Sequence, residues 1–159
     1  MKRILWFLFT GACKLQAVSI ESKLEAKEEW AYLEWQKTVK SVEKWLKAHN
    51  FEGDVETEAK SRVKYTLPGP MTIMDCTHDT FYGEEKKREL IDDLIEIINK
   101  EILSLAKHGC KYIQLDEPVL MRYPENAESY GIQDAGKCFK GTDLGWLICN
   151  FYFVTETFL

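Results

Sequence analysis

Apolar residues recur at intervals of three, four and seven along residues 22–50, which is the spacing of one face of an α-helix. Ser22 and Glu25 fit a capping box at the start of this segment. The pattern predicts one long amphipathic helix with the following apolar stripe: Leu24, Ala31, Trp35, Val39, Val42 and Leu46. Three tryptophans of the segment are interpreted as packing anchors rather than as a ligand cage: Trp30, Trp35 and Trp45.

A period of two marks residues 63–67 (VKYTL) as a β-strand. Pro68-Gly69-Pro70 ends this strand, because proline cannot donate to a ladder and glycine allows a turn that other residues resist. The polar and acidic residues 51–60 before the strand predict a surface connection. Residues 71–83 after it are predicted to form a loop.

Residues 84–108 return to a helical period and have signals at both ends. Glu84 and Glu85 place negative charge at the start, where it suits the helix dipole. Lys107 lies in the last turn, and Gly109 is a natural residue just beyond the end. The stripe of this helix is Leu90, Ile91, Leu94, Ile95, Ile98, Ile102, Leu105 and Ala106. Residues 110–115 (CKYIQL) are then predicted to form the next strand.

The order strand, helix, strand predicts two parallel strands joined by a right-handed crossover, and hence an α/β fold. The residues after both strands should therefore lie at one edge of the sheet, where parallel α/β folds bind ligands. Two adjacent carboxylates, Asp116 and Glu117, follow the second strand. We expect them to share a pocket with Pro68-Gly69-Pro70. Taken alone, such a pair is also typical of solvated loops and helix caps.

The composition limits what such a pocket could belong to. The chain has 159 residues, 45% of them hydrophobic and 13% aromatic, which suffices for one core. A complete (β/α)8 barrel needs about 250 residues. The formal net charge of -5, without a basic cluster interleaved with aromatics, argues against nucleic acid as a partner. Five widely spaced cysteines without a Cys-x-x-Cys pair are typical of reduced thiols in a cytoplasmic protein.

The N-terminus has the residue order of a short secretory signal, with Lys2-Arg3 before the apolar residues 4–9. The run is at the lower limit for such a signal, and it is far below the roughly 20 residues of a membrane-spanning helix. The other interpretations are a buried strand and an unnatural start to the chain. We predict a cytoplasmic protein without membrane contact, in which residues 1–60 form an apolar segment and the long helix. Residues 61–159 are predicted to form the α/β domain.

Four motifs occur in the order found in a known family. They are residues 67–73 (LPGPMTI), residues 109–118 (GCKYIQLDEP), Tyr130-Gly131-Ile132 and residues 138–141 (CFKG). Together they resemble the C-terminal catalytic barrel of cobalamin-independent methionine synthases, over roughly residues 61–143. The resemblance implies a partial TIM-type (β/α) barrel preceded by a long N-terminal helix. It also implies methyl transfer from a methylated folate to the thiol of homocysteine, with a zinc ion binding that thiol.

The resemblance also gives roles to the two carboxylates. A free thiol with a pKa of about 8.5 is mostly protonated at neutral pH, so the reaction needs zinc to generate the thiolate. Asp116 is implied to hold the ammonium group of homocysteine through a charge-assisted hydrogen bond, which orients the sulfur. Glu117 is either a second acceptor for the substrate or a structural brace. Pro118 turns the chain out of the strand.

Other polar residues near the predicted edge are weaker candidates. Cys76 and His78 are zinc-ligand types, but a zinc site takes three or four protein ligands, so we predict no metal site there. His78 and Asp79 are candidates for a contact with the folate. Arg122 and Tyr123 follow the second strand and are candidates for an anionic substrate.

The chain departs from the family pattern where the metal should bind. The family uses a His-x-Cys pair on the next strand, then a glutamate and a cysteine on later strands. Here Cys149 matches the cysteine but Leu147 replaces the histidine, and seven residues follow Tyr152. We therefore expect a truncated, impaired methyltransferase. A half-barrel should also leave an open sheet edge and uncovered apolar faces, which favour self-association.

Two alternatives differ in class from this enzyme. The first is a non-catalytic module, derived from the same barrel, that binds an amino acid or assembles with another chain. The second is a uroporphyrinogen decarboxylase-like protein. That protein would need an arginine-rich pocket for the porphyrin carboxylates, whereas the arginines here are scattered: Arg62, Arg88 and Arg122.

Overall fold

A computed structural model describes residues 5–7, 17–19, 30–144, 146–150 and 153–154, with side chains for residues 31–127 and 129–144. Two short strands near the N-terminus, β1 (Leu5–Phe7) and β2 (Ala17–Ser19), pair antiparallel. The rest of the apolar N-terminal run, the first residues of the predicted long helix and the side chain of Trp30 lie outside the described residues. Within the described part of the chain, none of the helices combines the length and apolar character needed to cross a bilayer.

The first helix, α1, spans Trp30–Ala48 and buries the predicted stripe at Ala31, Trp35, Val39 and Leu46. Trp35 is only 1% exposed, and its Nε1 donates a hydrogen bond to the carbonyl of Val63 at 3.4 Å. The packing interpretation is therefore confirmed for Trp35. It is wrong for Trp45, which lies off the stripe and is 53% exposed.

A second helix, α2 (Val55–Arg62), occupies the segment for which a surface connection was predicted. Asp54 caps its start, because the carboxylate accepts hydrogen bonds from the backbone N–H groups of Glu56 and Thr57. Two ion pairs stabilise this helix, and each joins residues one turn apart: Glu56 with Lys60, and Glu58 with Arg62. The polar composition of residues 51–60 thus concealed a capped helix that buries only Ala59.

The predicted βαβ unit is confirmed. Strand β3 (Lys64–Pro68) runs parallel to β4 (Tyr112–Asp116), and helix α4 (Lys87–Lys107) connects them after a 3-10 turn at Glu84–Lys86. Gly109 follows α4 with a φ of 92°, a left-handed conformation that favours glycine. Strand β5 (Trp146–Asn150) extends the sheet parallel to β4, and β6 (Phe153–Val154) pairs antiparallel with β5.

Short helical segments follow the first two strands of this sheet. Helix α3 (Pro70–Asp75) comes directly after β3, so the predicted loop over residues 71–83 is wrong in its first part. Three short segments follow β4: α5 (Val119–Arg122), α6 (Pro124–Asn126) and a π-helical turn (Ala127–Gly131). They lead into helix α7 (Ile132–Lys137).

The core lies between one face of the sheet and the helices α1 and α4. The stripe predicted for α4 is buried at seven positions: Leu90, Ile91, Leu94, Ile95, Ile98, Ile102 and Leu105. Leu67, Ile113 and Leu115 of β3 and β4 share this core with five of them, whereas Leu90 and Leu94 form a smaller cluster with Tyr82. Full burial of one such side chain stabilises the fold by about 1.5–3 kcal/mol. Residues from both sides of the predicted domain boundary at residue 60 share this core, and the division itself stays a prediction.

The opposite face of β3 and β4 is polar. Its alternate residues include Lys64 and Thr66, which are exposed, and Gln114 and Asp116 beside them. Tyr112, at 54% exposure, is the large apolar group on this face of the two strands. The apolar face that the half-barrel argument predicts falls on residues 145–159, whose side chains lie outside the described residues, so it stays a prediction. Self-association through an open edge stays a prediction.

Candidate functional site

The carboxyl ends of β3 and β4 meet at one edge, as the βαβ order predicts. Pro68 lies opposite Asp116 in the parallel register, and the backbone N–H of Gly69 donates to the carbonyl of Asp116 at 2.8 Å. On its other side Asp116 lies opposite Cys149 of β5. The Pro-Gly-Pro and Asp-Glu-Pro motifs, 46 residues apart between Met71 and Glu117, are therefore joined directly.

Glu117 is completely buried, with 0% of its surface exposed. Its Oε1 accepts from the backbone N–H of Met71 at 2.9 Å. Its Oε2 accepts from the backbone N–H of Thr72 at 2.8 Å and from the Thr72 hydroxyl at 2.7 Å. Pro70, at the first position of α3, has no N–H to satisfy. Glu117, which directly follows β4, thus supplies the cap that α3 lacks in its own sequence, and these contacts are those of a brace.

The surroundings of Glu117 disfavour the ionised form of its carboxyl group. Burial raises the pKa of its carboxyl group, while the hydrogen bonds from Thr72 and Met71 oppose that rise. The nearby carboxylate of Asp134 raises the pKa further. Only neutral donors contact the two oxygens among the described residues. A proton is therefore held more readily here than on an ordinary glutamate.

Asp116 lies in a different environment, although it is the next residue. It is partly exposed on the polar face of the sheet. Its Oδ1 accepts a hydrogen bond from Nε2 of Gln114, and Oε1 of Gln114 accepts one from Nζ of Lys64. Among the described residues, no hydrogen bond reaches Oδ2 of Asp116. The two carboxylates that the sequence places together thus separate into one buried and one accessible group.

Asp79 shapes its own loop. Its carboxylate accepts hydrogen bonds from the backbone N–H groups of Phe81, Tyr82 and Gly83, at 2.8, 2.9 and 2.6 Å. The bonds from Phe81 and Tyr82 lower its pKa most. Its predicted contact with a folate, like that of His78, stays a prediction.

The remaining weaker candidates lie around the short helices that follow the two strands. Arg122 pairs with Asp75 at 2.9 Å and so ties α5 to α3. Tyr123 borders a cavity of about 270 Å³ between these helices. Its lining includes Met71, Met74, Val119, Leu120 and Tyr130. Residues 116 and 117 are not part of this lining.

Among the described residues, no group of three or more histidine, cysteine, aspartate or glutamate side chains is placed to hold a metal ion. Cys76, for which we predict no metal site, is exposed and free. Cys110 and Cys138 are buried and free. The side chains of Leu147 and Cys149, where the resemblance places part of the zinc site, lie outside the described residues.

One buried charge escaped sequence reasoning. Asp134, at the start of α7, is 1% exposed. It pairs with Arg88 at 2.5 and 3.0 Å and with Lys137 at 2.8 Å. Burial would raise the pKa of Asp134, but the hydrogen bonds from Arg88 and Lys137 outweigh it and lower that pKa. The only sequence signal is the three-residue spacing to Lys137, because Arg88 is 46 residues away.

Comparison with known proteins adds a family to this geometry. The sequence model described as "Cobalamin-independent synthase, Catalytic domain" matches residues 27–130. A methionine synthase of Pyrococcus abyssi is 32% identical over 107 residues, which is 65% of this chain and 31% of that protein. One of Pyrococcus furiosus is 41% identical over 69 residues, which is 43% of this chain and 20% of that protein.

A solved structure agrees with these sequence matches. It is a B12-independent methionine synthase from Shewanella sp. W3-18-1 in complex with selenomethionine, with a TM-score of 0.51 and 25% sequence identity. The match covers 58% of this chain and 28% of the solved one. The chain therefore spans less than a third of the length of these relatives.

Proposed function

This chain belongs to the cobalamin-independent methionine synthase family through its catalytic domain, and from that premise we propose that it carries the amino-acid-binding part of a site for methyl transfer to homocysteine. The methyl donor proposed is a methylated folate. In this proposal the parallel strands β3, β4 and β5 are consecutive strands of a TIM-type barrel, and the long helix α1 precedes them. The parallel register of the three strands supports this arrangement.

Asp116 is the residue that we propose binds the ammonium group of homocysteine. The observation that carries the proposal is the position of its carboxylate: at the carboxyl end of a parallel strand, partly exposed, and with Oδ2 unbonded among the described residues. A carboxylate so placed forms a charge-assisted hydrogen bond to an ammonium group and fixes the direction of the substrate. Glu117 then acts indirectly, because its bonds to Met71 and Thr72 hold the neighbouring loop in place.

Zinc would supply the thiolate of homocysteine in this family, but the donor set here does not fit a complete site. Leu147 has no lone pair for a metal, and the described residues contain no cluster of three candidate ligands. We propose low or absent turnover for the chain, and robust methionine formation by the purified protein of 159 residues, with zinc bound, would contradict it.

The first alternative, a non-catalytic binding module, differs from the enzyme in its dependence on metal. Isothermal calorimetry with L-homocysteine, with and without zinc, separates the two functions. Binding that needs zinc favours the enzyme, and binding without zinc favours the module. In either case we expect Asp116→Asn to weaken binding by about tenfold or more, because the charge-assisted bond is lost. Asp143→Asn, an exposed position with the same change of charge, is the matched control.

The uroporphyrinogen decarboxylase-like alternative needs arginines that are free to bind porphyrin carboxylates. All three arginines among residues 31–144 pair with carboxylates of the chain itself: Arg62 with Glu58, Arg88 with Asp134, and Arg122 with Asp75. Guanidinium groups that are already paired are poor partners for additional porphyrin carboxylates.

We propose a cytoplasmic location, which the free thiols of Cys76, Cys110 and Cys138 support.

A further inference from the structure

Three polar side chains form a line on the polar face of the sheet. Lys64 at the start of β3 donates through Nζ to Oε1 of Gln114, and Nε2 of Gln114 donates to Oδ1 of Asp116. Gln114 lies two residues before Asp116 on β4, so both side chains point to the same face. The line ends at the carboxylate for which an ammonium ligand is proposed.

The chemistry of the three groups fixes the orientation of the amide. A lysine ammonium can only donate hydrogen bonds, and an ionised carboxylate can only accept them. The amide must therefore turn its oxygen to Lys64 and its NH2 group to Asp116. A rotation by 180° about the last side-chain bond would put donor against donor and acceptor against acceptor. Because Gln114 is only 8% exposed, water competes little for these bonds.

We propose that Gln114 and Lys64 are positioning residues for the ammonium site at Asp116. This inference rests on the proposed function of Asp116 and extends it to the groups that aim the carboxylate. The amide holds Oδ1, which leaves Oδ2 to point at the ligand. Lys64 polarises the amide, so that its N–H donates more strongly. The amide also stands between the lysine and Asp116, so the carboxylate stays available to an external cation.

The line of hydrogen bonds can be tested in the full chain without any ligand. The side-chain NH2 resonances of Gln114 are identified in a ¹⁵N–¹H spectrum as the pair that disappears in Gln114→Met. We expect this pair to shift in Asp116→Asn and again in Lys64→Met. Lys111→Met, an exposed neighbour with the same loss of charge, should leave it in place. If neither Asp116→Asn nor Lys64→Met moves the pair, the proposed line does not exist.

The positioning role is tested by calorimetry with L-homocysteine and with 4-mercaptobutanoic acid, which lacks the amino group. We expect Gln114→Met to raise the Kd for homocysteine about tenfold, and Lys64→Met about threefold, while the Kd for the amine-free acid stays unchanged. In an Asp116→Asn background both effects should vanish. A merely structural role would weaken the two ligands alike and would persist in that background.

The two possible failures give different results. If Asp116→Asn weakens homocysteine binding but Gln114→Met and Lys64→Met leave it unchanged, the positioning inference is wrong and the ammonium site stands. If Asp116→Asn leaves homocysteine binding unchanged, the ammonium site is wrong, and the inference that depends on it falls as well.

Discussion

The carboxyl group of Glu117 occupies the space where a side chain on Gly69 would have to be. A Cβ atom on Gly69 would lie 2.2 Å from Cδ and 2.2 Å from Oε1 of Glu117. The φ of Gly69 is -79°, which any residue can adopt. Glycine is therefore required here by the close approach of the buried carboxylate, and the two motifs of the family depend on each other sterically.

Gly69→Ala should destabilise the protein by about 2 kcal/mol, because the added methyl group overpacks a buried site. The measurement is the free energy of unfolding by urea. The double variant Gly69→Ala/Glu117→Ala is the control, since removing the Glu117 side chain makes room for the methyl group. The two losses should then be less than additive. Full additivity would mean that Glu117 is not what excludes a larger residue.

Glu117→Gln should destabilise the protein by about 2 kcal/mol, although the side chain keeps its shape. Each oxygen of Glu117 accepts from a backbone N–H, of Met71 and of Thr72. In glutamine an NH2 group replaces one of these oxygens. This donor then faces the backbone N–H of Met71 or Thr72, which is also a donor. Glu125→Gln, at an exposed position, should change the unfolding free energy by less than about 0.5 kcal/mol. Equal losses in the two variants would rule out the bracing role.

The stabilising effect of Glu117 should depend on pH in a defined direction. Burial raises its folded pKa above the ordinary 4.5, so the folded state binds more protons than the unfolded state between those two values. Stability from this group is therefore greatest at low pH and falls as the pH rises through the folded pKa. The difference in unfolding free energy between the parent and Glu117→Gln should shrink over this window. A difference that grows with pH would contradict the raised pKa.

The βαβ unit could be predicted because its signals are local: the strand period, the helical stripe with both ends marked, and Gly109 at its end. Gly69 and Asp116 then share one edge because the helical crossover makes the two strands parallel, so that their carboxyl ends meet. The different environments of Asp116, which is partly exposed, and Glu117, which is buried, could not be predicted. They depend on α3, which lacks an N-cap in its own sequence and takes one from Glu117, 45 residues from Thr72. The bond from Arg88 to Asp134 has the same long-range character.

Arg88→Ala should destabilise the protein by about 3 kcal/mol, because it leaves the carboxylate of Asp134 buried with Lys137 alone. Arg62→Ala, which breaks an exposed pair with Glu58, should cost only about 0.5 kcal/mol. The lowered pKa of Asp134 means that this stabilisation is present above the ordinary value of 3.8 and is lost as the pH falls through the folded pKa. Denaturation of both variants at neutral and acidic pH checks the contrast, and equal costs at neutral pH would refute the buried pair.

Alkylation of the native protein by iodoacetamide should distinguish the described cysteines. The thiolate is the reactive form, and burial raises the pKa of Cys110 to about 11 and that of Cys138 to about 12. The carboxylates of Glu117 and Asp134 add to the effect at Cys138. Cys76 is exposed and free, so peptide mapping should find it labelled on the order of a hundredfold faster than the other two. In denaturant the three rates should converge, and fast native labelling of Cys138 would show that the edge bearing Glu117 is open to solvent.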